Sequence, residues 1–404
     1  MKSIRDIFKI GHGPSSSHTM GPAFAAEKAK QKFPSADSYK VILYGSLAET
    51  GRGHQTDKAI INALNPIPAK IIFDEETTAL PHPNTLDFFA YRNGQEIGNM
   101  RAISIGGGFV EYPDEPAIEN SPEIYTENSF AEIAAFCKQN NMRLSDFVFA
   151  READDIYAYL AKVWLAMKRS IEDGLSVTGV LPGGLNVERK AQLLFNNRHI
   201  DESATTYENR IVCAYAYAVA EQNADLGIVV TAPTCGSCGV VPAALKYMQD
   251  QKKFSDDDII RALAVAGLIG NIIKTNASIS GAKCGCQAEI GSACSMCAAA
   301  LGELHRMGID QIEYAAEVAM EHMLGLTCDP VYGLVQIPCI ERNAVAAMRA
   351  INALSLANFL TTTRKISFDL VVETMYQTGL DMHANYRETS KAGLAKLYHP
   401  LNKN

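Results

Sequence analysis

Lys283–Leu301 reads KCGCQAEIGSACSMCAAAL, and Leu326–Cys339 downstream reads LTCDPVYGLVQIPC. Six of the ten cysteines fall between Cys284 and Cys339. Gly and Pro make the second stretch a loop rather than a helix. A loop can aim thiolates at one point, whereas a regular helix distributes them around its axis. Cys284, Cys286, Cys328 and Cys339 all stand in such loop contexts. Cys286 precedes a helix, Cys328 follows one, and Cys339 sits between Pro338 and the next. Three thiolates so placed suit three irons of a cubane, with the fourth iron open to substrate or water. On spacing alone, buried bystander thiols are an equal reading, because such scattered positions match no compact ferredoxin run.

The other cysteines read differently. Cys137 and Cys213 lie in apolar helical patterns, as buried free thiols often do. Cys235 and Cys238 form Cys-Gly-Ser-Cys, half of a zinc site or a redox pair. Cys294 and Cys297 fall inside a helix, so the two pairs make a poor zinc knuckle.

The chain has 404 residues, 47% of them hydrophobic and 20% charged, with a formal charge of −8. That length implies two or three domains, each with its own core. The acidic balance offers no basic face for nucleic acid. MKSIRDIFKIGHG at the start has no apolar run of signal-peptide length. The apolar run Ile259–Ile273 is interrupted by Arg and Gly, so no membrane span is expected. Ten cysteines in such a chain fit a reducing cytoplasm, where thiols are ligands, catalysts or core residues rather than disulfides.

Working outward, residues 4–22 read IRDIFKIGHGPSSSHTMGP. Hydroxyls and backbone N–H groups of this loop can surround a carboxylate or phosphate at the start of the helix that follows. A simple helix cap is the bland alternative. Lys40–Ala48 predicts a strand, then a Gly-rich turn carrying His54 and a helix from Thr56 or Asp57. Further strands are expected at Lys70–Asp74, Asp87–Tyr91 and Arg101–Ile105. Glu111–Thr126 is a Pro/Glu/Asn-rich connector. Beyond it come expected helices at Ser145–Asp173, Arg210–Gln222, Asp257–Asn276, Glu289–Met307, Gln311–Leu324, Glu341–Leu360 and Phe368–Thr378. Several are apolar nearly all round, as central bundle helices are. The fold class is therefore an α+β N-terminal domain, residues 1–126, followed by an all-α helical catalytic domain, residues 127–404.

These residues resemble the iron–sulfur-dependent L-serine dehydratases, or L-serine ammonia-lyases. The resemblance is carried by GPSSSHTMGP (13–22), GSLAETGRGHQTDKA (45–59), SIGGGF (104–109), LPGGLNVERKA (181–191), TAPT (231–234), KTNASISGA (274–282), CQAEIGSACSM (286–296) and CDPVYGLVQIPCIERNA (328–344). It covers nearly the whole chain. It implies a [4Fe-4S] cluster on Cys286, Cys328 and Cys339, whose intervals match the family's. It implies functional histidines at His18 and His54, with Ser16 and its neighbouring hydroxyls in the same loop. It further implies L-serine as substrate, a cytoplasmic homodimer and a place in amino-acid degradation. Many relatives end in a Cys that caps the open iron, whereas this sequence ends HPLNKN. The expectation is therefore water on that iron. Relatives often carry Asn-Gly-Ala-Ala where this chain has Cys235–Cys238, which argues against a general catalytic role for that pair.

Making pyruvate and ammonia from serine requires loss of a weakly acidic α-proton and of hydroxide, a poor leaving group. An open iron would act as Lewis acid on the β-hydroxyl. A neutral imidazole would take the α-proton, and His54 is the expected base. His18, with Ser15, Ser16, Ser17 and Thr19, is expected to hold the carboxylate or protonate the leaving hydroxyl. Lys274, Asn276 and Ser278 flank the cluster loop and are expected to bind the substrate's carboxylate or amine. For Lys274, a charge at a helix C-terminus is an equal reading. The expected site lies between the domains, a usual place for pockets. A threonine-type dehydratase, or a cluster-bearing sensor without catalysis, are the competing readings.

Overall fold

The structure, a computed structural model, describes residues 1–113, 115 and 122–400. Much of the connector and the last four residues lie outside that description. The chain forms one compact unit from residues 11–122 and another from residues 1–10 together with those from 123 onward.

The first unit is built on a five-stranded sheet. Its strands are β1 (Ser38–Tyr44), β2 (Ala69–Asp74), β3 (Thr85–Arg92), β4 (Gln95–Gly106) and β5 (Phe109–Glu111), in the order β2-β1-β3-β4-β5. β1 and β2 run parallel and the other neighbours antiparallel. A parallel pair needs a crossover, which α2 (Gly45–Thr50) and α3 (Thr56–Leu64) provide. Period-two alternation puts Tyr39, Val41 and Leu43 on one face, with Leu86, Phe88 and Ala90 on the same face of β3. Register sets Val41 opposite Phe88 and Leu43 opposite Leu86. The alanines of α1 (Gly21–Lys32) and Ile60 and Leu64 of α3 close over this face.

The second unit is largely helical. Its long helices are α4 (Phe130–Gln139), α5 (Leu144–Arg151), α6 (Ile156–Ser176), α7 (Ala191–Asn196), α8 (Ala204–Ala224), α9 (Val240–Lys252) and α10 (Asp256–Asn276). After the short α11 (Gly281–Cys284) come α12 (Ile290–Leu304), α13 (Ile309–Glu321), α14 (Cys339–Leu360), α15 (Phe368–Asp381) and the short α16 (Gly393–Leu397). Mixed sheet and helices thus precede a largely helical region, as the pattern of the sequence predicts.

α12 is the hub. All fifteen of its residues are buried, and α9, α10, α13 and α14 pack around it. Its Ala, Gly, Ser and Cys content lets those neighbours approach closely. Cys294 and Cys297 are structural here: their thiols face the carbonyls of Ala346 at 3.3 Å and Val240 at 3.8 Å.

The first ten residues are part of this bundle. Ile4, Ile7 and Phe8 are fully buried. Two glycines in α10 make room for them. A Cβ on Gly267 would lie 3.0 Å from both Ile4 and Phe8, and one on Gly270 would lie 2.9 Å from Ile7. Mid-helix glycine is ordinarily destabilising, and here it permits the close approach.

One expected helix, Ser145–Asp173, is two. The break falls at Glu152, whose backbone is extended. Its carboxylate accepts hydrogen bonds from Ile4 N (2.7 Å), Ser3 Oγ (2.6 Å) and Tyr125 Oη (2.7 Å), so a tertiary anchor overrides helical continuity. α9, centred on the stretch after Cys238, was not expected from the sequence. Among the described residues, the stretch Cys339–Thr363 alone is long and apolar enough to cross a membrane by length and composition.

Candidate active site: a thiol–carboxylate cavity and a histidine pair

Cys286 opens a short turn, Cys286–Ala288, just ahead of α12. Gly285 precedes it at φ +72°, a conformation that suits glycine and redirects the chain between α11 and α12. Cys339 is the first residue of α14, after Pro338. Both thiols therefore sit at helix N-terminal ends, where orphan N–H groups favour negative charge. Cys328 lies in the loop after α13. Its N–H donates to Tyr386 O at 2.7 Å and its carbonyl accepts from Glu388 N at 2.8 Å, so the C-terminal segment fixes it on both sides.

The Cys286 and Cys328 sulfurs and a Glu289 carboxylate oxygen all lie within 4.8 Å of one another. Cys339 and Arg342 complete the surroundings through their electrostatic interactions with Cys286, and Arg342 is within hydrogen-bond reach of that thiol. Arg342 also donates to Thr327 O at 2.7 Å. Thr234 Oγ1 donates to Glu289 Oε1 at 2.7 Å.

Charge in this cavity is costly without a cation. The thiol of Cys328 is pushed well above its ordinary range by its hydrogen bond with Cys286 and by burial. Burial and the charge of Cys286 push Cys339 up as well. Burial raises the Glu289 carboxyl, opposed by Thr234 and Arg342. Burial and the neighbouring Glu289 raise Glu388 to about 8. Thiols and carboxyls that resist ionising alone become ligands when a bound cation compensates them. This donor set fits an iron–sulfur cluster: thiols from three chain segments surround one buried place, with more acidic groups than Arg342 can neutralise.

The histidines form a second constellation, within the unit of residues 11–122. Ser15 caps a five-residue turn, Ser16–Met20, that runs into α1. Its Oγ accepts from His18 N at 3.1 Å. Ser17 Oγ meets His18 Nδ1 at 2.8 Å, and Ser46 Oγ meets His18 Nε2 at 2.9 Å. His54 Nδ1 lies 3.2 Å from Thr50 O. A carbonyl only accepts, so Nδ1 carries the hydrogen and Nε2 keeps the lone pair. Thr19 Oγ1 donates to His54 O at 2.7 Å and Thr56 Oγ1 to His18 O at 2.5 Å, which ties the two loops together. Both rings are buried. Burial lowers His54 to about 4, and burial with the neighbouring His54 lowers His18 well below the usual histidine range.

The remaining expected residues lie elsewhere in the helical unit's bonding. Lys274, in the last turn of α10, pairs with Asp6 at 3.0 Å. Asn276 Nδ2 donates to Asn128 O and Ile272 O. Ser278 Oγ accepts from Ser280 N at 3.1 Å. Glu289, Arg342, Glu388 and Ser46 escaped the reading of the sequence. Glu289 stands three residues after Cys286 and Arg342 three after Cys339, one helical turn in each case, which is the signal that pointed to them. Nothing in the sequence singles out Glu388.

Comparison with known proteins identifies the family. Residues 54–395 match the family described as serine dehydratase alpha chain, and residues 3–67 match serine dehydratase beta chain. The chain belongs to the serine dehydratase family, with alpha- and beta-chain regions in one polypeptide. It is 40% identical to L-serine dehydratase TdcG of Escherichia coli over 98% of this chain and 99% of the relative. It is 38% identical to an L-serine dehydratase of Streptomyces coelicolor (97% and 98% covered) and 37% to one of Helicobacter pylori (98% and 98%). In this serine dehydratase the histidine turn of His18 falls in the beta-chain match, and Cys286, Cys328 and Cys339 in the alpha-chain match.

Proposed function

We propose that the L-serine dehydratase activity of this chain, which yields pyruvate and ammonia, uses the thiols of Cys286, Cys328 and Cys339 and the imidazoles of His54 and His18. The observation that carries this reading is the convergence of Cys286, Cys328 and Glu289 within 4.8 Å. A [4Fe-4S] cluster on the three cysteines supplies, when bound, Lewis acidity toward the substrate's β-hydroxyl.

The chain's own residues do the rest. His54 presents the lone pair of Nε2, because Thr50 O holds the hydrogen on Nδ1. That nitrogen takes the α-proton of serine. His18 has a hydroxyl on each ring nitrogen, and in this reading it passes a proton to the departing hydroxyl while taking one from a serine hydroxyl. Hydroxyls of Ser15, Ser16 and Ser17 hold the α-carboxylate, while Thr19 keeps the His54 backbone in place. Lys274, Asn276 and Ser278 shape the segment that leads into Cys286. Loss of the α-proton and of hydroxide leaves 2-aminoacrylate. It tautomerises to the imine and hydrolyses to pyruvate and ammonia. All ten cysteines are free, which fits a reducing cytoplasm, and the assembly is taken to be a homodimer.

Anaerobic reconstitution with iron and sulfide, followed by assay on L-serine and L-threonine, tests the reading. Pyruvate formation with a filled cluster supports it. A filled cluster without pyruvate makes the protein a sensor, and faster turnover of threonine moves the substrate.

A further inference from the structure

The reading above gives Glu289 no chemical role, yet its carboxylate lies within 4.8 Å of two thiols. Its orientation is fixed. Oε1 accepts from Thr234 Oγ1 at 2.7 Å, and that hydroxyl in turn lies 3.2 Å from Ser237 Oγ. Oε2 is turned the other way, over Gly281. A Cβ at Gly281 would lie 2.7 Å from Oε2 and 3.4 Å from Cys328 Sγ. One small space, kept open by a glycine, is thus shared by a carboxylate oxygen and a thiol sulfur. Gly236 leaves similar room beside Oε1, where a Cβ would lie 3.2 Å away.

A carboxylate beside thiolates is repelled unless a cation sits among them. Arg342 is the cation that acts on this group, and Cys286, Cys339 and Asp329 act on the same guanidinium. Sulfur and oxygen donors bind iron at about 2.0–2.3 Å by analogy with zinc sites, so donors this close together can share metal.

Building on the cluster reading, we propose that Glu289 is itself a metal ligand, with Oε2 as oxygen donor to the iron that no cysteine takes. Substrate would displace it, so the site is closed to solvent between turnovers and open to serine during them. The expectation of water on that iron is thereby replaced.

The test uses the full chain, reconstituted anaerobically and reduced. Solvent enriched in oxygen-17 should leave the cluster's EPR line width unchanged in the wild type, because a carboxylate and not water holds the iron. In E289Q the same solvent should broaden the line, and iron loss in air to a three-iron cluster should accelerate about 10–100-fold. Broadening in the wild type overturns the proposal whether or not E289Q folds. Equal iron loss in a folded E289Q overturns it too. If the wild type retains no four-iron cluster, the underlying reading fails instead. Co²⁺ titration of the cluster-free chain then decides the role of Glu289. E289Q should weaken Co²⁺ binding about tenfold or more, and equal affinity overturns the assignment.

Discussion

His18 and His54 face each other with ring centroids 4.6 Å apart and planes inclined by 34°. Two imidazolium ions at that separation would repel, and burial penalises each charge further. The pair is therefore a neutral one. Its folded-state pKa values lie below those of the unfolded chain. The stabilising preference for neutral rings is fully present above about pH 6.5. It is lost as pH falls toward the folded value of about 4 for His54. For His54 alone the loss amounts to about 3 kcal/mol. Ring-nitrogen NMR shifts followed from pH 7 to 4 measure it directly. Both rings should stay neutral past pH 6, and a midpoint near 6.5 for His54 would contradict the buried arrangement.

Replacing His54 with Ala removes the proposed base but no thiol. Turnover of L-serine should fall about 10²–10⁴-fold. Iron and sulfide content should stay at the wild-type level. A drop smaller than about tenfold with the cluster retained would transfer the role of base to another group.

How far these features could be read from the sequence depended on locality. Cys286, Cys328 and Cys339 stood out because Gly and Pro around them announced loops at helix ends. Lys40–Ala48 announced a strand, of which Lys40–Tyr44 lies in β1 while Gly45–Ala48 turns into α2. Glu152 did not stand out, because its reason for ending a helix is a set of donors distant in sequence, Ser3 and Ile4 at the N-terminus and Tyr125. No helix was read at α9, where Gly239 is the N-cap and Pro242 occupies the first turn, a position where proline is tolerated. Tautomer and pairing of the histidines depend on Thr50 O and Ser46 Oγ, contacts that no periodicity encodes.

Glu152 supports a stability prediction. Its buried carboxylate holds three donors, two of them from the first four residues and one from Tyr125. Replacement by Ala leaves buried donors without an acceptor, at a cost of about 3 kcal/mol or more. The N-terminal ten residues should then detach first. Hydrogen exchange at Ile4 and Ile7 should rise well before exchange in α12, and equal protection in mutant and wild type would show the anchor to be dispensable.

Gly281 separates the geometry of the proposed metal site from its chemistry. G281A removes no ligand and no charge. Its methyl group would nonetheless lie 2.7 Å from Glu289 Oε2 and 3.4 Å from Cys328 Sγ. The carboxylate would have to yield, although Thr234 holds it through Oε1, while the thiol would come into contact with the new methyl. C328A deletes a donor outright. Both variants should lose most of the visible absorption and iron after anaerobic reconstitution, while far-ultraviolet circular dichroism stays that of the wild type. Gly281 is helical at a negative φ, so alanine suits its backbone. A G281A chain that loads iron normally would mean that the space above residue 281 is not where the metal lies.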